Sequence, residues 1–403
     1  MDGRLDHCPA GRTEVSLRNR VGFPTLSLGV QAMPSFEQVL KSSAWVLYAI
    51  IVFEILFMIS PIALYFYSVY GPVLQAFNRS EGTAWLTQFF LPHISKTTSP
   101  LLNLLSGLAW PLILLGTGLF LGAAIPLYFS KIRRQGAVTK GLYRYIRHPQ
   151  YLALAILGLG TLLLWPRFLV LITYVTMLFL YSILGRWEEA QCLARYGESY
   201  HAYLARTGRF LPLAWSQRLP RLLPTAGGRG ITAPLGFYAL LLGASVALGF
   251  GLREYSLSHL TAWYTDDTAV LSPAILSDEE LRAAYRTATT DIQVQKALEA
   301  VKPAKRIIYV VPLAWCIPDL PLEATATCYG HHVPANFDRR YYKLLFTQTR
   351  THAAQASRKE IVKTAYGLHP IVLVKVDISA TEVTEVETPP PHVFWGDIPT
   401  PMY

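Results

Sequence analysis

The sequence predicts an all-α multi-pass membrane bundle of about five transmembrane helices, followed by a soluble C-terminal α+β region. Three observations predict it. Apolar residues make up 52% of the 403-residue chain, and they fall in blocks of membrane-spanning length rather than in short amphipathic stripes. Residues 1–252 hold 21 Lys/Arg against 9 Asp/Glu, whereas 253–403 hold 15 against 17, so the basic excess belongs to the apolar part. Beyond residue 277 the pattern changes to a capped helix and alternating strand-like runs. A basic, apolar segment suits anionic lipid headgroups. It lacks the aromatic-interleaved basic face that single-strand binders use, so no nucleic-acid partner is expected.

Residues 1–43 read as an N-terminal extension. They contain no apolar run of signal-peptide length. Arg4, Arg12, Arg18 and Arg20 are accompanied by Asp2, Asp6 and Glu14. A plain extension is therefore preferred over an organellar presequence, because such presequences are poor in acids.

The membrane region spans 44–252. Its first span, 44–67, carries Glu54 at mid-depth, where an ionisable group faces protein or water rather than lipid. Within the loop 71–100, the stretch TAWLTQFFL reads as a short interfacial helix, since Trp and Phe favour the headgroup zone. A second span follows at 105–128, with Pro111 and Pro126 as kink points.

The chain is organised around 136–212. This stretch opens GAVTKGLYRYIRHPQYL and closes RWEEAQCLARYGESYHAYLARTGRFLP. Between them lie two apolar runs, 153–164 and 168–184, separated by Trp165, Pro166 and Arg167. Pro166 ends the first run, so the pair forms a hairpin that returns the chain to its starting side. His148 and Tyr151 are thereby expected beside Glu188 and Glu189. Both runs are short for a crossing and need help from flanking residues or a local tilt. The linker AGGRG at 226–230 precedes a last span at 234–252. Lys and Arg cluster after the second and fourth spans. The positive-inside rule then puts the N-terminus and the motif on the cytosolic or matrix side, and 253–403 on the other.

The ordered set Gly-x-Tyr, Arg-His-Pro-x-Tyr, hairpin, Glu-Glu and Gly-x-x-Tyr-x-x-Tyr resembles the integral-membrane methyltransferases. That group includes isoprenylcysteine carboxyl methyltransferase and the phospholipid N-methyltransferases. The resemblance covers roughly 105–212 and implies S-adenosylmethionine as methyl donor. It implies cofactor contact by Val138, Tyr143, His148, Pro149, Tyr151 and Glu188, with Gln135 and Gly136 in the preceding segment. It implies catalytic roles for Glu189 and Arg186, the latter as a substrate- or carboxylate-handling group. It leaves the acceptor open among a prenylcysteine carboxylate, a phospholipid amine and another amphiphile entering from the bilayer.

The residue chemistry agrees. Transfer from a sulfonium is a direct displacement, and positioning alone supplies about 7–11 kcal/mol in well-oriented systems. His148 can donate to a carboxylate or an adenosine oxygen, tyrosine faces attract a cation, and Glu188 and Glu189 can accept from an ammonium or ribose hydroxyls. Taken singly, these residues also have plain readings. Arg144, Arg147 and His148 fit a juxtamembrane anchor. Glu188 and Glu189 fit exposed charges pairing with Arg186 or Arg195. Tyr196, Tyr200 and Tyr203 fit an interfacial belt. As an ordered set they favour a cofactor site. No Gly-x-Gly loop follows a strand, so a Rossmann-type methyltransferase is not indicated.

In the region 253–403, Ser277 and Glu280 form a capping box that opens a helix through about residue 301. Strands are expected at 306–311, 341–349 and 371–378, and the end, ETPPPHVFWGDIPTPMY, reads as extended. Cys8, Cys192, Cys316 and Cys328 make no Cys-x-x-Cys pair. A Cys316–Cys328 disulfide, in an oxidising compartment, is preferred over a metal site with His331 and His332. The extra region also supports a different function. A methyltransferase-like bundle could serve as an accessory subunit of a respiratory or photosynthetic membrane complex, gripping other subunits through 253–403.

Overall fold

The computed structural model describes residues 74–93, 95–133, 138–216, 232–301, 304–315, 336–353 and 355–389, with Ala49 and Val52 as isolated helical positions. Several expectations lie outside the described residues. They are the first span apart from those two positions, Glu54, Gln135, Gly136, the linker 226–230, Cys8, Cys316, Cys328, His331, His332 and the Pro-rich end from 390.

The second span is α1 (Pro100–Gly107) continuing into α2 (Ala109–Ile132). Ser99 caps α1, its hydroxyl accepting from the Leu102 amide at 3.5 Å. Pro111 falls in the first turn of α2, where its missing N–H leaves no helical bond unmade, and Pro126 lies inside the helix. The hairpin is α3 (Pro149–Leu164) and α4 (Phe168–Tyr196), and the last apolar helix is α6 (Thr232–Ser258). Between α4 and α6 lies α5 (Glu198–Arg206).

Among the described residues, three helices are long and apolar enough to cross a membrane: Pro100–Ser130, Phe168–Tyr196 and Pro234–Ser258. At 16 residues α3 reaches about 24 Å, short of ~30 Å of hydrocarbon. The expected shortness of the first hairpin run is thus observed. The second run is longer than expected, because the helix continues through Glu188 and Glu189 to Tyr196.

Contacts fix the helix directions. A Cβ on Gly160 of α3 would lie 2.8 Å from the Ala109 carbonyl at the start of α2, and one on Gly116 would lie 2.5 Å from the Leu157 amide nitrogen. Small residues let these two backbones approach closely, as membrane helices do where lipid gives no hydrophobic drive to pack. The α4–α6 pair is joined by the Thr176 and Tyr238 hydroxyls at 2.7 Å and by the Phe168 and Phe250 rings at 4.5 Å. So α2 and α4 run from the hairpin-turn end to the motif end, and α3 and α6 run back.

The stretch TAWLTQFFL is not an interfacial helix. Only Ala84–Thr87 makes a 3₁₀ turn, and Phe89, Phe90 and Leu91 are buried. The cause is pairing with the hairpin turn. The Phe90 amide donates to the Pro166 carbonyl at 2.8 Å, and the Phe168 amide donates to the Gln88 carbonyl at 3.1 Å. Arg167, 1% exposed, donates to the Thr87 carbonyl with its guanidinium 4.4 Å from the Phe89 ring centre. An arginine can be buried there because carbonyls and aromatic faces replace its water.

The C-terminal part carries a six-stranded sheet in sequential order. Its strands are β1 (Thr261–Tyr264), β2 (Thr268–Ser272), β3 (Lys305–Pro312), β4 (Tyr341–Thr351), β5 (Ala365–Asp377) and β6 (Glu382–Glu387). All neighbours are antiparallel except β2 and β3. A parallel pair needs a crossover, and α7 (Asp278–Thr290) with α8 (Ile292–Glu299) supplies it. The capping box is present, with the Ser277 amide donating to Glu280 at 2.7 Å. The helix expected through residue 301 is broken at Asp291, whose carboxylate accepts from the Gln293 and Val294 amides and starts a new helix. The three expected strands form, each at least a residue longer at one end. β1, β2, β6 and a short helix, α9 (Lys359–Thr364), were not foreseen.

This sheet is fastened to the hairpin-turn end of the helices. Buried Arg253 near the end of α6 donates to the Phe89 carbonyl at 2.7 Å and reaches the Val362 carbonyl. Gln88 donates to the Ala365 carbonyl at 3.1 Å, and Lys363 pairs with Glu254.

The close α2–α3 approach predicts that Gly160→Ala destabilises the folded chain by about 1–3 kcal/mol, the usual penalty of overpacking. Gly118→Ala, whose Cβ would meet open space, is the matched control. Thermal unfolding of the two variants in nanodiscs checks this. Equal midpoints would contradict it.

Candidate functional site

The site is built where α3 begins and α4 ends. His148 is the residue before α3, in a non-helical conformation with φ −124°, and Pro149 is the first helical residue. A residue preceding proline is pushed out of the helical region, so the sequence itself stops the helix from extending back over His148. Tyr151 follows in the first turn. Glu188 and Glu189 are consecutive on α4, so helix geometry turns them about 100° apart and lets them flank one ring.

They do. The His148 Nδ1 lies 3.3 Å from Glu188 Oε2, and Nε2 lies 3.4 Å from Glu189 Oε1. Tyr151 donates to Glu188 Oε1 at 2.9 Å and stacks on the imidazole at 5.4 Å between ring centres. Tyr181 stacks on the Tyr151 ring at 4.8 Å between centres. Gly185, one turn before Glu189, leaves room for the ring: its Cβ would stand 3.5 Å from His148 and 3.3 Å from Phe210.

A second layer comes from the segment after α5. Gly197 has φ +54°, a region that favours glycine, and it turns the chain out of α4. Residues 207–210 then run parallel beside 146–148, paired at Ile146 and Gly208. The Arg147 amide donates to the Gly208 carbonyl at 2.9 Å and the His148 amide to the Arg209 carbonyl at 3.0 Å. Arg147 donates to Glu189 at 2.7 Å, to the Leu204 carbonyl at 3.1 Å and to the Thr207 carbonyl. Arg209 grips Glu189 with two nitrogens at 2.5 and 3.0 Å. Glu189 is therefore a buried hub, its side chain 9% exposed, while Glu188 is 24% exposed and reachable.

Electrostatics follow from this packing. Burial opposes charge on His148, but hydrogen bonding and attraction from Glu188 and Glu189 outweigh it and raise its pKa. Burial pushes the Tyr203 hydroxyl up to about 12 and raises that of Tyr143 as well. Tyr203 donates to the Tyr143 carbonyl at 2.6 Å, and Tyr143 donates to the Ala123 carbonyl at 3.3 Å.

Of the expected residues, His148, Pro149, Tyr151, Glu188 and Glu189 come together. Tyr143 stands behind them, tied to Gln150 and α2. Arg186 is half-buried and close enough to feel the charges of Glu189 and Arg209. Val138 is half-buried in the loop before the turn Gly141–Arg144. Tyr200 and Tyr203 are buried, so they are not an interfacial belt, and Arg147 is no exposed anchor. Arg147, Arg209 and Phe210 were missed as site residues. Basic residues at a membrane end look like anchors in sequence, and only the fold shows what they bury against.

Two comparisons bear on this site. Residues 111–199 match the family model for phospholipid methyltransferase. The chain is 34% identical over 77 residues to the protein-S-isoprenylcysteine O-methyltransferase of Schizosaccharomyces pombe, covering 19% of this chain and 33% of that protein. The chain thus spans about a third of the length of the curated relative it matches. The resemblance read from the motif to these membrane methyltransferases is borne out over this segment. No solved structure matches the chain.

Two predictions follow from the cluster. Because the folded His148 pKa is raised, its contribution to stability is complete below the unfolded value of about 6.5 and is lost as pH climbs through the folded value. Unfolding midpoints of the wild type should fall above about pH 6.5 more steeply than those of His148→Gln. Parallel curves would refute the assignment. Glu189→Ala leaves Arg147, 11% exposed, without its carboxylate and should cost about 3–5 kcal/mol in denaturant unfolding. A loss below about 1 kcal/mol would mean the pair is not desolvated.

Proposed function

We propose that residues 111–212 form the S-adenosylmethionine site of a membrane methyltransferase whose acceptor is lipidic or prenylated. The observation that carries this reading is the convergence of His148 and Tyr151 from one end of the hairpin with Glu188 and Glu189 from the other. The family-model match over residues 111–199 and the similarity to a membrane methyltransferase support it.

The donor set fits the group. Glu188 is a reachable carboxylate for an ammonium or ribose hydroxyls. His148 is a buried donor beside it. Arg186 brings positive charge for a carboxylate. Tyr143 and Tyr151 add aromatic surface, and Val138 would pack against the adenosine side. When bound, S-adenosylmethionine supplies an electrophilic methyl on a sulfonium. The chain's part is to bind, orient and exclude water. Pro149 fixes the backbone that aims His148. Tyr151 holds Glu188 in place. For an amine acceptor, Glu188 is the carboxylate placed to take the proton, with Glu189 acting from behind it. For a carboxylate acceptor no base is needed, and Arg186 becomes the orienting group.

The motif end is read as facing the cytosol or matrix, with the sheet on the opposite side of the membrane. Its attachment at the hairpin-turn end, remote from His148, supports that arrangement. A second reading keeps the cofactor fold but makes the chain a subunit of a larger membrane assembly. The docked six-stranded sheet, which lies outside the residues matched by the family model, favours it.

Calorimetric titration of S-adenosylmethionine into the full chain in nanodiscs tests the site. Wild type should bind, and His148→Ala and Glu188→Ala should each weaken binding at least about tenfold, the loss expected for a charge-assisted hydrogen bond. No binding by a folded wild type would overturn the proposal.

A further inference from the structure

The Glu189 carboxylate is divided unequally. Its Oε1 accepts from Arg147 Nε at 2.7 Å and Arg209 Nε at 3.0 Å, and its Oε2 accepts from Arg209 Nη2 at 2.5 Å. The imidazole is left with the longest contact, 3.4 Å to Oε1. On the other side of the ring Glu188 accepts from the Tyr151 hydroxyl and faces Nδ1, and it is the more exposed carboxylate. A guanidinium fork competes better for a carboxylate than one imidazole N–H, because it makes two aligned charge-assisted bonds.

We propose that Arg147 and Arg209 are positioning residues: by occupying the Glu189 carboxylate they keep the His148 imidazole committed to Glu188, the carboxylate a ligand can reach. This deepens the cofactor-site reading and takes its functional meaning from it. The two arginines reach the site from different places. Arg147 precedes the ring in sequence, and Arg209 arrives 61 residues later on the segment that pairs with it. Glu189 therefore senses whether residues 207–210 are seated. Unseating them would leave the Glu189 carboxylate less neutralised and strengthen its hold on Nε2, the nitrogen on the side of the ring away from Glu188.

The charged and titratable groups around the ring are Glu188, Glu189 and Arg186 from α4, Tyr151 from α3, Arg147 beside it and Arg209 from the closing segment. Releasing Glu189 strengthens its hold on the imidazolium. The test is therefore the His148 titration, followed by NMR on full-length chain with ¹³C-labelled histidine in nanodiscs. The His148 signal is identified by its loss in His148→Gln.

Arg209→Gln should raise the His148 midpoint by about half to one unit. Arg209→Lys keeps the charge but loses the fork, and it should give a clear part of that rise. In a Glu189→Gln background the same changes should produce little shift, since the carboxylate being shared is gone. An unchanged midpoint in Arg209→Gln would overturn the proposal. So would a Lys variant identical to wild type, which would leave only direct charge repulsion, or equal shifts in both backgrounds. If Glu189→Gln does not fold, the Lys and Gln pair still decides. An arginine that acts on His148 only through its own charge would move the midpoint equally in both backgrounds, and one too distant to act would lower the unfolding temperature alone. The titration needs no cofactor, so it stands apart from the calorimetric test of the site itself.

Discussion

Glu189 sits where three parts of the chain meet, and its ion pairs with Arg147, Arg209 and His148 explain much of the local architecture. A carboxylate at 9% exposure near the end of a membrane helix is costly unless it is paired and hydrogen-bonded. Two guanidiniums satisfy it, and each can reach it only if its own segment is in place. Arg147 requires the turn before α3. Arg209 requires the chain to leave α4 at Gly197, run through α5 and return beside Ile146. Ordering the hub therefore orders both walls of the site. Glu188, one residue away on the same helix, is the more exposed of the two carboxylates.

A comparable constraint acts at the other end of the hairpin. There Arg167 and Arg253, nearly inaccessible, donate to the carbonyls of Thr87 and Phe89. Both ends of the helical hairpin are thus closed by arginines on backbone or carboxylate oxygens, fully buried at the turn end and partly exposed at the motif end. At the turn end the consequence is mechanical. The segment around Gln88 and Phe89 lies between the hairpin turn and the strand start at Ala365, so the sheet is held by backbone groups as well as by side chains.

The sequence made the hairpin and the convergence of its ends legible because both rest on local chemistry. Pro166 forces the turn, Pro149 starts α3, and apolar runs of fixed length return the chain to its starting side. The capping box at Ser277 was legible for the same reason. What stayed hidden depended on packing. Phe89 and Phe90 have the composition of an interfacial helix and became buried because the hairpin turn offered them backbone partners. Asp291 looked like one charge within a helix and instead caps a new one. Arg147 and Arg209 looked like lipid anchors, since nothing in a linear reading distinguishes a guanidinium facing headgroups from one facing Glu189. Strands β1 and β2 are only four and five residues long and β6 is a charged edge, so none carries a clear alternation.

The central claim is that residues from the two ends of the hairpin make one S-adenosylmethionine site. The most direct measurement is photo-crosslinking of the full chain in nanodiscs with an azido-adenosyl analogue of S-adenosylmethionine, followed by peptide mass spectrometry. The account predicts label on peptides from both 138–151 and 186–210, competed away by unlabelled S-adenosylmethionine. Label confined to 253–403, or label that excess S-adenosylmethionine does not displace, would contradict it.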